Sequence, residues 1–268
     1  MTVELIVSQG RVADRTTGAI AGAWKTADIL SKNAEHPMKV IGIPSAAKDG
    51  LWSVDLAEAG NTLRGLQAVT RDVMSRGSIP LLVLNTCAAS IATLPVVARQ
   101  YPEAVVMWID AHGDFNTPET TGSGYLGGMV LGAGCGLWDS GYGDGVDPRN
   151  VMIVGGRDID VDEDRLLRGA NVIVLPPERS TPLQILEMIG SRKVWIHIDW
   201  DVLQPGYVPA AYSVDEGFRP QDLKAILAAI PKSQILGIEV CEFEASGNED
   251  EDATSLEIII DIVSVLME

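Results

Sequence analysis

The stretch Ala104-Val105-Val106-Met107-Trp108-Ile109-Asp110-Ala111-His112-Gly113-Asp114 runs an apolar segment straight into three side chains that can bind metal, spaced two apart. In an extended backbone alternate residues share a face, so Asp110, His112 and Asp114 are expected to converge at a strand tip. A second such tip follows at Val194-Trp195-Ile196-His197-Ile198-Asp199-Trp200-Asp201. Four carboxylates and an imidazole gathered in one place repel one another unless cations lie between them. A single cluster would read as readily as Asp caps at a strand–helix junction. Two clusters with the same alternation point instead to a dinuclear metal site.

Working outward, short apolar, β-branched runs alternate with segments of helical period. Strands are expected at 3–7, 38–43, 81–84, 104–109, 151–154, 172–175, 194–198 and 235–240. Helices are expected at 54–75, 90–100, 162–169, 182–189, 220–230 and 253–267. This rhythm predicts an α/β fold in three αβα layers, with a parallel sheet of these eight strands covered by helices on both faces. No linker-like stretch or repeat divides residues 1–268, so one domain is expected. The segments 121–136 and 140–150 read as long loops. In open α/β sheets ligands bind beyond the carboxyl ends of the strands, where both acidic clusters fall.

Composition narrows the partners. A hydrophobic content of 46% with 27 glycines in 268 residues describes an ordinary globular chain able to bury a large core. The formal charge of −17 makes nucleic acid or an anionic membrane an unfavourable partner. It suits a small cationic substrate or divalent metal, although much of it simply keeps the surface solvated. Cys87, Cys135 and Cys241 are an odd count at wide spacing, which points to a reducing cytoplasm rather than a disulfide framework. Residues 1–5 lack the basic-then-apolar pattern of a signal peptide, and no apolar run reaches membrane-spanning length. An oligomer is compatible with all of this.

The donor set is mostly hard oxygen with one nitrogen, which favours two Mn²⁺ ions over a thiolate-rich zinc site, with Mg²⁺ or Fe²⁺ as alternatives. Here the chain resembles the ureohydrolases, the arginase and agmatinase family. Residues 110–116 are similar to that family's D-A-H-x-D-x-N motif, and residues 199–205 to its D-x-D-x-L-D-P motif, with Gln204 in place of the third Asp. Gly237-Ile238-Glu239-Val240-Cys241-Glu242 resembles the late strand whose Glu receives a guanidinium. Arg157-Asp158-Ile159-Asp160 resembles R-D-x-D, and Ser123-Gly124-Tyr125-Leu126-Gly127 resembles S-G-N-L-H.

The resemblance implies an arginase-like fold and a metal-dependent hydrolase that adds activated water to a guanidino carbon. Asp110, His112, Asp114, Asp199 and Asp201 would be metal ligands, with Asp114 and Asp199 bridging. Asp114 and Glu242 would carry the catalysis, and Glu242 would also hold the planar guanidino group. Asn116 and Ser123 fall where arginases hold the substrate α-carboxylate, and Asp160 where they hold the α-amino group. A guanidino amino acid is therefore expected over agmatine.

Two departures bear on the substrate. Where the family places a metal-binding histidine after the third strand, this chain has Cys87. That residue reads equally as a ligand and as a small buried side chain at a strand end. Gly127 stands where arginases have the histidine that shuttles protons, so release of a strongly basic alkylamine lacks its usual acid. N-hydroxy-arginine is less basic and a better electrophile. The combination is similar to the ureohydrolases that act on Nω-hydroxy-L-arginine in D-cycloserine antibiotic biosynthesis, giving hydroxyurea and L-ornithine. Gly127 opens a Gly-Gly pair, for which a left-handed backbone is expected. The alternatives are a hydrolase of another guanidino compound and a catalytically silent metal-binding relative.

Other residues read more plainly. His197 shares a strand face with Asp199 and is either a donor to a ligand carboxylate or a core histidine. His36 reads as solvated and Trp108 and Trp195 as core. The run Glu249-Asp250-Glu251-Asp252 suits the start of the last helix.

Overall fold

The computed structural model describes residues 2–32 and 36–267. Eight strands, β1 (Val3–Ser8), β2 (Lys39–Ile41), β3 (Ile79–Val83), β4 (Val105–Ile109), β5 (Val151–Val154), β6 (Ile173–Leu175), β7 (Val194–Asp199) and β8 (Ile235–Cys241), form one sheet. Its order is β2-β1-β3-β8-β7-β4-β5-β6, and every pairing is parallel. All carboxyl ends therefore lie along one edge. Strands buried on both faces need apolar residues at every position, and β3, β4, β5 and most of β7 and β8 supply them.

The helices are α1 (Gly18–Ser31), α2 (Trp52–Glu58), α3 (Gly60–Ser75), α4 (Leu94–Gln100), α5 (Val130–Gly134), α6 (Val161–Ala170), α7 (Pro182–Ile189), α8 (Pro220–Ala229) and α9 (Glu249–Met267). One core joins α1, α7, α8 and α9 to the face carrying Val7, Val83, Met107 and Ile198. The other joins α3 to α6 to the face carrying Ile6, Leu82, Val106 and Trp108. Among the described residues no helix is long and apolar enough to cross a membrane.

The expected eight strands are all present, with ends displaced by up to two residues. Helix α1 has no counterpart in the sequence expectations, because small residues, Ala19, Gly22, Ala23, Thr26 and Ala27, make up most of its buried stripe, with only Ile20 and Leu30 as large apolar members. The small side chains allow close approach: a Cβ on Gly22 would stand 1.9 Å from the Phe243 carbonyl oxygen. That contact fixes the chain beside Glu242. The single helix expected over 54–75 breaks at Ala59 into α2 and α3. Residues 87–91 form a 3₁₀ turn, so the helix expected from residue 90 starts at Leu94, with Pro95 in its first turn. Part of the expected loop over 121–136 is helical, as α5 and the 3₁₀ turn Gly127–Met129 before it.

Candidate dinuclear metal and guanidine site

The adjacent strands β3, β8, β7 and β4 deliver Cys87, Glu242, Asp199, Asp201, Asp110, His112 and Asp114 to one cavity edge. Their convergence does not come from strand alternation. Strand β4 ends at Ile109, and the Asp110 carboxylate accepts the His112 N–H at 2.7 Å, which turns the chain back. Asp114 adopts φ 49°, a left-handed conformation. In the same way Asp201 sits in a 3₁₀ turn whose N–H donates to Asp199 Oδ1 at 2.8 Å. Side-chain-to-backbone turns at the strand ends, rather than the pleat, aim the acids inward.

The two clusters interlock. His112 Nδ1 lies 2.9 Å from Asp201 Oδ2 and 3.3 Å from Asp110 Oδ1. Ala111 N–H donates to Asp201 Oδ1 at 3.1 Å, and Trp108 Nε1–H to Asp110 Oδ2 at 3.0 Å. Trp108 is thus core packing that also orients a candidate ligand. Cys87 Sγ is 3.0 Å from Asp199 Oδ2 and 3.9 Å from Asp110 Oδ2.

Glu242 follows β8 directly, at φ 65°, and its Oε1 accepts the Cys87 N–H at 2.8 Å. Its own N–H reaches Asn85 O at 3.3 Å. The carboxyl group is held against the end of β3.

Burial first, and neighbouring carboxylates second, push Asp114 and Asp199 well above the ordinary carboxylate range. Asp201 rises to about 6 for the same reasons, despite its bond from His112. Burial raises Glu242 too, against the lowering effect of the Cys87 N–H. Burial disfavours the charged form of His112, but its bonds to Asp110 and Asp201 outweigh this and hold it protonated far above its usual range. Asp110, equally buried, is held low by His112.

Buried carboxylates crowded around one imidazole are the donor set of a cation site, since nearby positive charge offsets their mutual repulsion. Asp114 Oδ2 is buried without a hydrogen-bond partner. The sets Asp110–His112–Asp201, Cys87–Asp110–Asp114 and Cys87–Asp199–Glu242 each bring their ligand atoms within 4.8 Å of one another. These residues fit a pair of divalent ions.

The cavity, about 210 Å³, is lined by these groups together with the expected substrate residues Asn116, Ser123 and Asp160. Asn116 Oδ1 accepts from Thr120 Oγ1 at 2.9 Å, which leaves its amide N–H groups for an acceptor in the cavity. Asp160 is exposed at the start of α6 and Ser123 is exposed near the mouth.

Several lining residues were not anticipated. Arg15 is the only Arg or Lys lining the cavity among the described residues. It sits 4.7 Å over the Tyr125 ring and donates to Ser123 O at 3.3 Å. Tyr212 and Glu163 also line the cavity, and Glu163 accepts the Phe115 N–H at 2.8 Å. Burial raises the Glu163 carboxyl to about 7. Only tertiary folding brings these groups in from loops and helix starts far along the chain.

One expectation needs adjustment, and two open positions are resolved. Gly127 does not use a left-handed backbone; it opens a 3₁₀ turn. Its missing side chain is explained by Tyr125, whose Cε1 would stand 2.4 Å from a Cβ at residue 127. His197 bonds no ligand carboxylate: its Nδ1 lies 2.8 Å from Glu239 Oε2 and its Nε2 faces two sulfurs. Gln204, in place of the third Asp of its motif, ties its own loop by donating to Asp215 Oδ1 at 3.0 Å and accepting the Gly217 N–H at 3.1 Å.

Comparison with known proteins agrees with this geometry. Residues 21–267 match the sequence model of the Arginase family. The chain is 46% identical over 262 residues to the N(omega)-hydroxy-L-arginine amidinohydrolase of Streptomyces lavendulae, covering 98% of this chain and 96% of that one. It is 37% identical over 159 residues to the arginase of Bacillus caldovelox, about half of each chain (54% and 53%). The structure of Entamoeba histolytica arginase in complex with L-ornithine superposes with a TM-score of 0.86 at 20% identity, over 99% of this chain and 97% of that one. At that identity the likeness speaks for the fold alone. The sequence match, end to end, settles the family: the chain belongs to the arginase family.

Proposed function

We propose that the protein is a dinuclear-metal amidinohydrolase that converts Nω-hydroxy-L-arginine to hydroxyurea and L-ornithine, a step that would serve D-cycloserine biosynthesis. Asp110, His112, Asp114, Asp199, Asp201 and Cys87 would hold two Mn²⁺ ions, the metal that mainly hard oxygen donors favour. When bound, the ions lower the pKa of water enough to supply a nucleophile at neutral pH.

The remaining work falls to the chain. Glu242, fixed by the Cys87 N–H, accepts the guanidino N–H groups and sets the planar carbon facing the acids. Asp114 Oδ2, buried and unpartnered, takes the proton of the attacking water. Asn116 and Ser123 receive the substrate α-carboxylate, with Arg15 beside Ser123 supplying positive charge at the mouth. Asp160 receives the α-amino group.

The observation that carries the choice of substrate is the space at Gly127. Tyr125 fills it, so no imidazole delivers a proton to a strongly basic leaving amine. N-hydroxylation lowers the basicity of the guanidino group, makes its neutral form more accessible and raises its electrophilicity. The close relationship to the Streptomyces lavendulae protein supports the same reading. The test is ornithine release from N-hydroxy-arginine by Mn²⁺-loaded protein, lost on chelation and restored by Mn²⁺. No turnover of any guanidino amino acid would identify a silent relative instead.

A further inference from the structure

Next to the carboxylate cluster lies a second donor set of different chemistry. Cys87 Sγ and Cys241 Sγ are 3.4 Å apart, and each is 3.3 Å from His197 Nε2. All three residues are buried. The arrangement follows from the sheet: Cys241 is the register partner of Asp199, and His197 precedes Asp199 by two on the same face of β7. Cys87 begins the turn after β3, the other neighbour of β8.

His197 is held for a particular role. Its Nδ1 pairs with Glu239 Oε2 at 2.8 Å, and Ser90 Oγ and Thr93 Oγ1 fix that carboxylate at 2.8 Å and 2.5 Å. The Trp108 ring stacks on the imidazole at a centroid distance of 3.5 Å. With Nδ1 engaged by a carboxylate, Nε2 is the atom presented to the sulfurs. A carboxylate behind an imidazole is the usual support of a metal-ligating histidine.

We propose that Cys87, Cys241 and His197 form a binding site for a thiophilic divalent cation such as Zn²⁺ or Cd²⁺, distinct from the oxygen-rich centre that shares Cys87. A zinc–sulfur bond of about 2.3 Å and a zinc–nitrogen bond of about 2.0–2.1 Å put tetrahedral donors roughly 3.8 Å (S to S) and 3.5 Å (S to N) apart. The observed triangle needs to open by only a few tenths of an ångström. Asp199 Oδ2 lies 3.0 Å from Cys87 Sγ, but it is grouped with Cys87 and Glu242 rather than with the two sulfurs and Nε2. Binding releases the two thiol protons to solvent, since a coordinated thiol is deprotonated. Soft ligands select such ions over Mn²⁺. A captured thiophilic ion would withdraw Cys87 from the catalytic centre; this consequence rests on the reading of Cys87 as a ligand there, whereas the sulfur site stands without it.

The test is titration of the reduced, metal-free full chain with Cd²⁺, following the ultraviolet sulfur-to-cadmium charge-transfer absorbance. The wild type should show the amplitude of two thiolates on one ion. Cys241→Ala should lower the amplitude per bound ion to about half, and weaken that binding by at least on the order of tenfold. Cys241→Ser, which keeps the size of the side chain, should do the same, while Cys135→Ser should change nothing. A one-thiolate amplitude in the wild type, or wild-type amplitude in either Cys241 variant, overturns the proposal. Because the readout is absorbance, it is independent of whether N-hydroxy-arginine is the substrate.

Discussion

The Tyr125 ring occupies the space into which a side chain at residue 127 would grow, 2.4 Å from the position of its Cβ. The tyrosine hydroxyl also points at Glu242, 3.5 Å from Oε1. Gly127→His alone should therefore give no gain on arginine and should destabilise the protein, since overpacking costs about 1–3 kcal/mol. Gly127→His with Tyr125→Ala should raise arginine turnover, toward the roughly 10²–10⁴-fold that a positioned acid contributes. Steady-state kinetics of both variants check this. A single variant as active on arginine as the double would show that Tyr125 does not close the space.

Cys87 sets the second expectation. A thiol is a poor partner for Mn²⁺, so of the two ions the one near Cys87 should be the weaker. Elemental analysis across an Mn²⁺ titration should show a tight and a loose equivalent. Cys87→His should not tighten the loose site by itself, because Cys241 and His197 lie 3.4 Å and 3.3 Å from the sulfur and leave no room for an imidazole. Adding Cys241→Ala should provide that room and tighten the loose site by at least on the order of tenfold. Full activity at a single equivalent would contradict the scheme.

On the proposed reading, recognition of an amino acid rather than an amine would rest on Asn116, Ser123 and Arg15, which line the cavity. Charge-assisted contacts are worth about 1.5–3 kcal/mol each. The N-hydroxy derivative of agmatine should thus be a substrate poorer by at least about tenfold in kcat/KM, and Arg15→Ala should narrow the gap. Equal rates for the amino acid and the amine would remove all three residues from substrate binding.

Away from the site, Glu4 ties the sheet edge to α3. Burial raises its carboxyl, but bonds from Lys39 at 2.8 Å and Arg76 at 2.9 Å outweigh this and hold it at about 2 instead of 4.5. The folded state then binds fewer protons at Glu4 than the unfolded state between those values. Its contribution to stability is complete above about 4.5 and is lost as pH falls toward about 2. Glu4→Gln should flatten that part of the acid limb in urea unfolding; an unchanged limb would assign the acid sensitivity to other groups.

Much of this was legible in the sequence because burial on both sheet faces forces continuous apolar runs, and β4, β7 and β8 carry them up to the site. That Asp110, His112, Asp199 and Asp201 would lie together was equally plain, although turns and not alternation bring them there. Helix α1 was hidden because small residues make up most of its buried face, with only Ile20 and Leu30 as large apolar members. Arg15, Glu163 and Tyr212 were hidden because a cavity gathers them from distant loops and a helix start. The pairing of Cys241 with Cys87 needed the strand order, which places β8 between β3 and β7.

The most direct measurement is competition between N-hydroxy-arginine and arginine for the Mn²⁺-loaded wild-type protein, read as the ratio of kcat/KM. On the proposed reading, a glycine at residue 127 in place of a proton-shuttling imidazole, a group worth on the order of 10²–10⁴-fold, would penalise arginine more. The ratio should favour N-hydroxy-arginine by at least about a hundredfold. Equal or faster turnover of arginine would contradict the account and leave a plain arginase.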